Sequence, residues 1–269
     1  MIIRGKVAIV TGASGGIGAA LAQRFLEHGA RVVVTDLVRD RVAATVDELQ
    51  QFGPGRVVGL AGDCSLELHV QALMDLAEER FGPVDLYAAN AGVGLGHGLE
   101  SSDADWETSI DVDVLAHVRA ARLLTPGWLE RGRGYFLSTA SAAGLLTQIG
   151  LPAYAVTKHA AVAFAEWMSV TYGSRGIAVS CLCPMGVNTG MLDAIAESGD
   201  DAARRGAKAV TEAGGVLEPL DVADKVVEAI GIEQFLILPH KEVLEFFRRK
   251  GSDYDRWLAG MRRYQDLLA

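Results

Sequence analysis

The sequence predicts the α/β class: a doubly wound parallel β-sheet with helices on both faces, in one domain spanning residues 1–269. Three observations carry this expectation. Short β-branched runs alternate with longer helical stretches, which implies right-handed βαβ crossovers and a sheet buried on both faces. The first such run enters a glycine-rich turn that opens a helical pattern. No linker-like stretch or tandem repeat interrupts the rhythm, so a length that allows one or two domains resolves to one.

The elements follow in order. Val7–Val10 is an apolar strand, and residues 17–28 read helical behind the glycines. Arg31–Thr35 is a valine-rich strand, followed by a helix over Arg39–Phe52. Arg56–Ala61 is a strand, Leu66–Phe81 an amphipathic helix and Asp85–Ala89 a strand. Asp103–Leu124 reads as a long helical region broken by Pro126-Gly127. Gly134–Ser138 is a strand, Ala153–Tyr172 a helix, and Ile177–Cys183 and Phe235–Leu238 are the last strands. Residues 190–217 break the rhythm. They are rich in Ala, Gly, Asp, Glu and Arg with no strong apolar stripe, and they follow a strand at the sheet's carboxyl edge, where lids occur. We read them as a substrate lid; a surface helical excursion is the plainer alternative.

Composition narrows the function classes. Half the residues are hydrophobic and 22% are charged, which excludes wholesale disorder. With 25 Lys+Arg against 34 Asp+Glu the formal charge is −9, which argues against a nucleic-acid partner. Three cysteines, Cys64, Cys181 and Cys183, make no disulfide framework. Cys181 and Cys183 alternate onto one strand face, a core arrangement rather than a metal site, and no zinc-type spacing accompanies them. The chain enters its first strand at Val7, leaving no room for a signal peptide, and no apolar run approaches the roughly 18 residues of a membrane span. These features read as a soluble, cytoplasmic protein with no membrane partner and no metal.

The 31 glycines cluster where chemistry is expected. Gly12, Gly15, Gly16 and Gly18 follow the first strand, with Ser14 and Ile17 among them. Such a turn lets the backbone approach a pyrophosphate, and the helix N-terminus presents free N–H groups to it. The strand–turn–helix context makes the sheet Rossmann-like. Asp36 ends the second strand, placed to accept both ribose hydroxyls of an adenosine and to repel a 2′-phosphate. NAD is therefore favoured over NADP, although Arg39 and Arg41 lie near enough to receive such a phosphate; a helix-capping acid is the plainer reading of Asp36. Asp63-Cys64 follows the third strand and Asn90-Ala91-Gly92 the fourth, both at carboxyl ends where ligands of such sheets bind. Each alone would read as an Asx turn.

Tyr154 and Lys158 stand at i, i+4 on one helix face, and Ser141 lies 13 residues upstream of Tyr154, just past a strand. A free tyrosine is a poor base near neutrality; a neighbouring ammonium and an oxidised nicotinamide ring favour its phenolate. Ser141 is placed to hold a substrate oxygen against the phenol. A plain surface pair is the alternative for Tyr154 and Lys158 taken by themselves.

In combination these segments resemble the short-chain dehydrogenase/reductase family. Thr11–Gly18 is similar to its cofactor turn, Asn90–Gly92 to its motif after the fourth strand, and Ser141–Gly144 and Tyr154-x-x-x-Lys158 to its catalytic segments. Pro184-Met-Gly-Val-Asn-Thr189, with Gly186 and Val187, resembles the loop that holds the nicotinamide carboxamide. The likeness runs from about Lys6 to Thr189. It implies hydride transfer between a secondary alcohol or ketone and a nicotinamide cofactor. Tyr154 is then the general acid/base, Lys158 binds the nicotinamide ribose, and Ser141 orients the carbonyl.

Three departures stand out. Asp113 occupies the position of a family asparagine whose main chain supports a water relay, and Met185 stands where glycine is usual. The C-terminus, residues 240–269, lacks the usual Asp-Gly-Gly ending. It reads as a pocket wall, an oligomer face or a solvated amphipathic helix.

Residues 92–98, Leu145, Gln148, Met185 and Met191 are the expected pocket, suited to a mainly apolar substrate. His97 and His159 read as incidental. The helical regions 103–124 and 153–172 are the family's usual oligomer faces, so the resemblance implies a homodimer or homotetramer. Two rival readings remain: a non-catalytic NAD(P) sensor or scaffold on the same fold, and an epimerase or dehydratase of the extended family.

Overall fold

The computed structural model describes residues 1–268. Val7–Thr11 (β1) is buried along its whole length because apolar side chains leave both faces of it. Gly16–Glu27 (α1), Arg31–Thr35 (β2), Arg39–Leu49 (α2), Val57–Gly59 (β3), Glu67–Arg80 (α3) and Leu86–Ala89 (β4) continue the alternation. Then come Asp103–Ile110 (α4), Ala116–Arg131 (α5), Gly134–Thr139 (β5), Pro152–Tyr172 (α6) and Ile177–Leu182 (β6). Gly186–Val187 (β7), Gly190–Ala196 (α7), Asp201–Gly214 (α8) and Val216–Leu217 (β8) precede Pro219–Ile232 (α9) and Leu236–Ile237 (β9). Glu242–Ser252 (α10) and Tyr254–Leu267 (α11) close the described chain.

Seven strands form one parallel sheet in the order β3-β2-β1-β4-β5-β6-β9. The sheet separates two apolar layers. Ala8 and Val10 face Leu21, Phe25 and Ile230 from α1 and α9, while Val7 and Ile9 belong to the layer of Leu73, Trp128 and Met168 from α3, α5 and α6. Strand order reverses between β1 and β4, and the carboxyl ends there open a crevice suited to a ligand.

Four features differ from the sequence expectation. Pro126 does not break its helix, which runs on to Arg131. The proline is exposed, while Leu124 and Trp128 are buried and Trp128 Nε1 donates to the Val84 carbonyl at 2.7 Å. That packing outweighs one lost backbone hydrogen bond. The interruption lies upstream instead, in a π-helical turn over Asp111–Leu115. Segment 190–217 does carry a buried face, made of small residues: Ala203, Gly206, Ala207 and Ala209 of α8. Small side chains hide from an apolar-periodicity reading but allow close approach. A two-stranded parallel ladder, Gly186–Val187 with Val216–Leu217, joins the two ends of this segment. The C-terminal extension is two helices rather than one, and Lys250 within it is buried.

Candidate active site

A cavity of about 980 Å³ opens along the carboxyl ends of the strands. Of the residues singled out from sequence, Gly12, Gly15, Gly16, Ile17, Asp36, Asp63, Cys64, Asn90, Ala91, Gly92, Ser141, Tyr154, Lys158, Pro184, Val187 and Thr189 line it. Ser14, Gly18, Asp113 and Gly186 stand outside the lining. Among the expected pocket residues Gly92, Val93, Gln148, Met185 and Met191 face the cavity, whereas Leu145 and residues 94–98 do not.

At the glycine turn, Gly12 and Gly16 hold φ values of 63° and 52°, a left-handed backbone that glycine alone adopts freely. A Cβ on Gly12 would come within 2.8 Å of Ala91 Cα, and one on Gly16 within 2.9 Å of Thr189 Cγ2. The turn is therefore pressed between the β4 end and the 184–189 loop. No side chain caps α1, and Ser14 Oγ is buried without a hydrogen-bond partner among the described residues. Free N–H groups, a bare backbone and an unsatisfied hydroxyl at a helix N-terminus fit a pyrophosphate.

Asp36 is no helix cap: α2 begins after Val38 with no side-chain cap. Its Oδ2 accepts from the Ser14 N–H at 3.0 Å and its Oδ1 from the Leu37 N–H at 2.8 Å. Arg41 Nη2 donates to the Ser14 carbonyl at 2.9 Å, so an acid and a base flank the same turn. Asp63 Oδ1 accepts from Ser65 N–H at 2.8 Å, forming an Asx turn that still faces the cavity. Burial, reinforced by Asp63, pushes the Cys64 thiol up to about 12, so it remains protonated. Asn90 acts as a staple: Nδ2 donates to the Thr11 carbonyl at 3.0 Å, and the Asn90 and Ala91 N–H groups both donate to Thr11 Oγ1 at 2.9 Å.

Ser141, Tyr154 and Lys158 line the same cavity. Ser141 Oγ accepts from the Ala143 N–H at 3.1 Å and donates to the Pro184 carbonyl at 3.4 Å. Lys158 Nζ lies 5.4 Å from the centroid of the Tyr154 ring, donates to the Thr139 carbonyl at 3.3 Å and sits 3.4 Å from Asp113 Oδ1. Burial by itself would push Lys158 down, but Asp113 and, less strongly, Tyr154 outweigh it and hold the ammonium above the ordinary lysine range. The Asp113 carboxylate also accepts from the Val93 N–H at 2.9 Å and from Thr157 Oγ1 at 3.0 Å. Gly92 packs on this pair: a Cβ there would stand 2.9 Å from Asp113 Oδ1 and 3.0 Å from Lys158 Nζ.

The 184–189 loop is fastened from the C-terminal extension, which sequence reasoning did not assign. His240 Nε2 donates to the Gly186 carbonyl at 3.0 Å, which leaves Nδ1 to accept from the Met185 N–H at 3.2 Å. Burial pushes this imidazole below the ordinary histidine range. Met185 fits because Gly214 lies opposite, where a Cβ would strike Met185 Cε. Phe246, Arg249, Trp257, Met261 and Tyr264 line the far end of the cavity. Their signal was present in the sequence: Trp257, Met261 and Tyr264 recur at i, i+4 and i+7.

A family model described as short chain dehydrogenase matches residues 6–200. The chain belongs to the short-chain dehydrogenase family. Among relatives, the 1-deoxy-11-beta-hydroxypentalenate dehydrogenase of Streptomyces avermitilis is 34% identical over 265 residues, 96% of this chain and 93% of that protein. A short-chain dehydrogenase/reductase from Burkholderia phymatum, solved in complex with NAD, superposes with a TM-score of 0.86 at 34% identity, covering 95% of this chain and 96% of that one. The L-sorbose reductase of Gluconobacter frateurii, solved with NADPH and L-sorbose, superposes with a TM-score of 0.78 at 27% identity, covering 88% and 97%. Helices α10 and α11 lie beyond the matched residues 6–200. Among the described residues there is no cluster of metal-ligating side chains and no helix long and apolar enough to cross a membrane.

Proposed function

We propose that this protein is an NAD(H)-dependent oxidoreductase that moves a hydride between a secondary alcohol or ketone and the nicotinamide. One observation carries the reading: Ser141, Tyr154 and Lys158 line the same cavity as the glycine turn and Asp36. The cofactor would supply or accept the hydride. Gly12, Gly15, Gly16 and the Ser14 hydroxyl would hold its pyrophosphate, Asp36 its adenosine ribose and the Pro184–Thr189 loop its nicotinamide end. Lys158 would bind the nicotinamide ribose, Ser141 would donate to the substrate oxygen, and Tyr154 would take or give the hydroxyl proton. Asp113 would keep Lys158 charged from behind the cavity wall.

Asp36 favours NAD, since a 2′-phosphate would meet its carboxylate; Arg41 is the counterweight. The walls beyond Ser141, with Ile149, Met191, Ile195 and Trp257, suit a mainly apolar substrate. Residues 190–217 would form its lid. The exposed apolar stripe Val156, Trp167 and Val170 on α6 supports a homodimer or homotetramer, and the free thiols of Cys181 and Cys183 support a reducing cytoplasm. The deciding experiment is a screen of secondary alcohols with NAD, read as NADH formation. Turnover that Tyr154→Phe abolishes while NADH binding persists supports the reading; turnover unchanged in that variant overturns it. NADH bound without turnover on any alcohol or ketone would favour a sensor.

A further inference from the structure

We propose that Lys250 of the C-terminal extension is a positioning residue that grips Leu145 and Leu146, holds the Leu146–Ile149 wall of the cavity and thereby sets affinity for substrate rather than for cofactor. That the wall meets a substrate rests on the oxidoreductase reading; that Lys250 holds the wall does not.

Lys250 is 7% exposed, while Arg248 and Arg249 beside it in sequence are exposed. Its Nζ donates to the Leu145 carbonyl at 2.8 Å and the Leu146 carbonyl at 2.9 Å, across more than a hundred residues of chain. The third donor points to His159 Nε2 at 3.5 Å, and the Tyr254 ring centroid lies 5.4 Å away. His159 Nδ1 donates in turn to the Ala155 carbonyl at 2.8 Å, so Nε2 is free to accept. All three ammonium hydrogens are thus used, and the partners come from the wall and from α6, the helix that carries Tyr154 and Lys158. An ammonium is costly to bury, and an apolar side chain would fill the same space without that cost. Its donors are what the position exploits.

The segment it grips needs an anchor. Leu145 and Leu146 follow the short turn Ala142–Gly144 that starts at Ser141, and they precede Thr147, whose φ of 153° is a region that side-chain-bearing residues rarely adopt. Such a backbone persists only where neighbours over-determine it. Leu146, Thr147, Gln148 and Ile149 line the cavity, and Gln148 Nε2 donates to the Gly206 carbonyl of α8 at 3.2 Å. A slack wall would therefore misplace both the substrate side of the cavity and the segment that covers it, and leave the glycine turn untouched.

The test compares the unaltered protein with Lys250→Met and Lys250→Arg. Three measurements are made: amide hydrogen exchange over residues 142–149 with residues 184–189 as reference, NADH affinity by fluorescence titration, and KM for the best alcohol of a panel of cyclic secondary alcohols. In Lys250→Met, exchange over 142–149 and the alcohol KM should each rise about tenfold, as the loss of paired buried groups implies, with NADH affinity unchanged. Lys250→Arg, which keeps donors for both carbonyls, should restore them. Unchanged exchange, or exchange that rises equally at 184–189 with weakened NADH binding, overturns the proposal. If the unaltered protein oxidises no alcohol, the oxidoreductase reading fails, and the exchange result still decides whether Lys250 holds the wall.

Discussion

Lys158 Nζ lies 3.4 Å from Asp113 Oδ1, and both side chains are sealed from solvent. Asp113 is thus the direct partner of the lysine proposed to bind the ribose. Asp113→Ala would leave a buried ammonium unpaired, and such a loss costs about 3–5 kcal/mol. Asp113→Asn keeps an acceptor for the Val93 N–H and should cost less. The sign for pH follows from Lys158 standing above the ordinary lysine range. Its charge contributes stability that is fully present below that range and is lost as pH rises through the raised value. Denaturant melts should therefore show a steeper alkaline loss in the unaltered protein than in Asp113→Asn; parallel curves would contradict the pairing.

Tyr154→Phe keeps the ring beside Lys158 and removes the only group proposed to carry the proton. Turnover should fall by about 10²–10⁴-fold, the usual contribution of a positioned acid or base, with NADH affinity unchanged. Titration and steady-state kinetics on one preparation check both halves.

His117 gives an acid-side prediction. It is fully buried, its Nδ1 meets Ser138 Oγ at 3.1 Å, and burial, with Lys158 adding to it, pushes it down to about 3. Between that value and the ordinary histidine range the unfolded chain binds a proton that the folded one refuses. Stability therefore falls as pH drops through this window, by about 1.4 kcal/mol per pH unit at steepest. His117→Asn does not titrate, so its stability should fall less between neutral and mildly acid pH in chemical denaturation.

Asp36 and Arg41 flank the same glycine turn. Replacing Asp36 with Ala removes the carboxylate and leaves Arg41 at the same turn, donating to the Ser14 carbonyl. NADH should bind about tenfold or more weakly and NADPH more tightly, because a lost charge-assisted hydrogen bond to ribose is worth about 1.5–3 kcal/mol. Calorimetric titration with each cofactor reads the ratio; an unchanged ratio would remove Asp36 from cofactor selection.

Local signals carried much of the architecture. Alternating β-branched and helical runs place all seven strands of the sheet within two residues of where they fall at each end, because a strand buried on both faces must read as an apolar run. The glycine turn was legible because glycine alone suits the left-handed backbone at Gly12 and Gly16. Tyr154 and Lys158 were legible because helical spacing puts them a turn apart. Pro126 misled, since proline disfavours a helix locally and only the burial of Leu124 and Trp128 shows that packing wins. The buried face of α8 escaped because alanine and glycine carry no strong apolar signal.

By itself, then, the sequence determined the α/β class, the strand order's raw material and the residues proposed to carry chemistry, all of which depend on contacts a few positions apart or on residue type. Only the tertiary structure decided what neutralises Asp113, that His240 fastens the Pro184–Gly186 loop, and that Lys250 is buried against Leu145 and Leu146. Each of these joins segments far apart in the chain. A lysine reads the same in sequence whether its charge meets water or two carbonyls, and only the fold determines which.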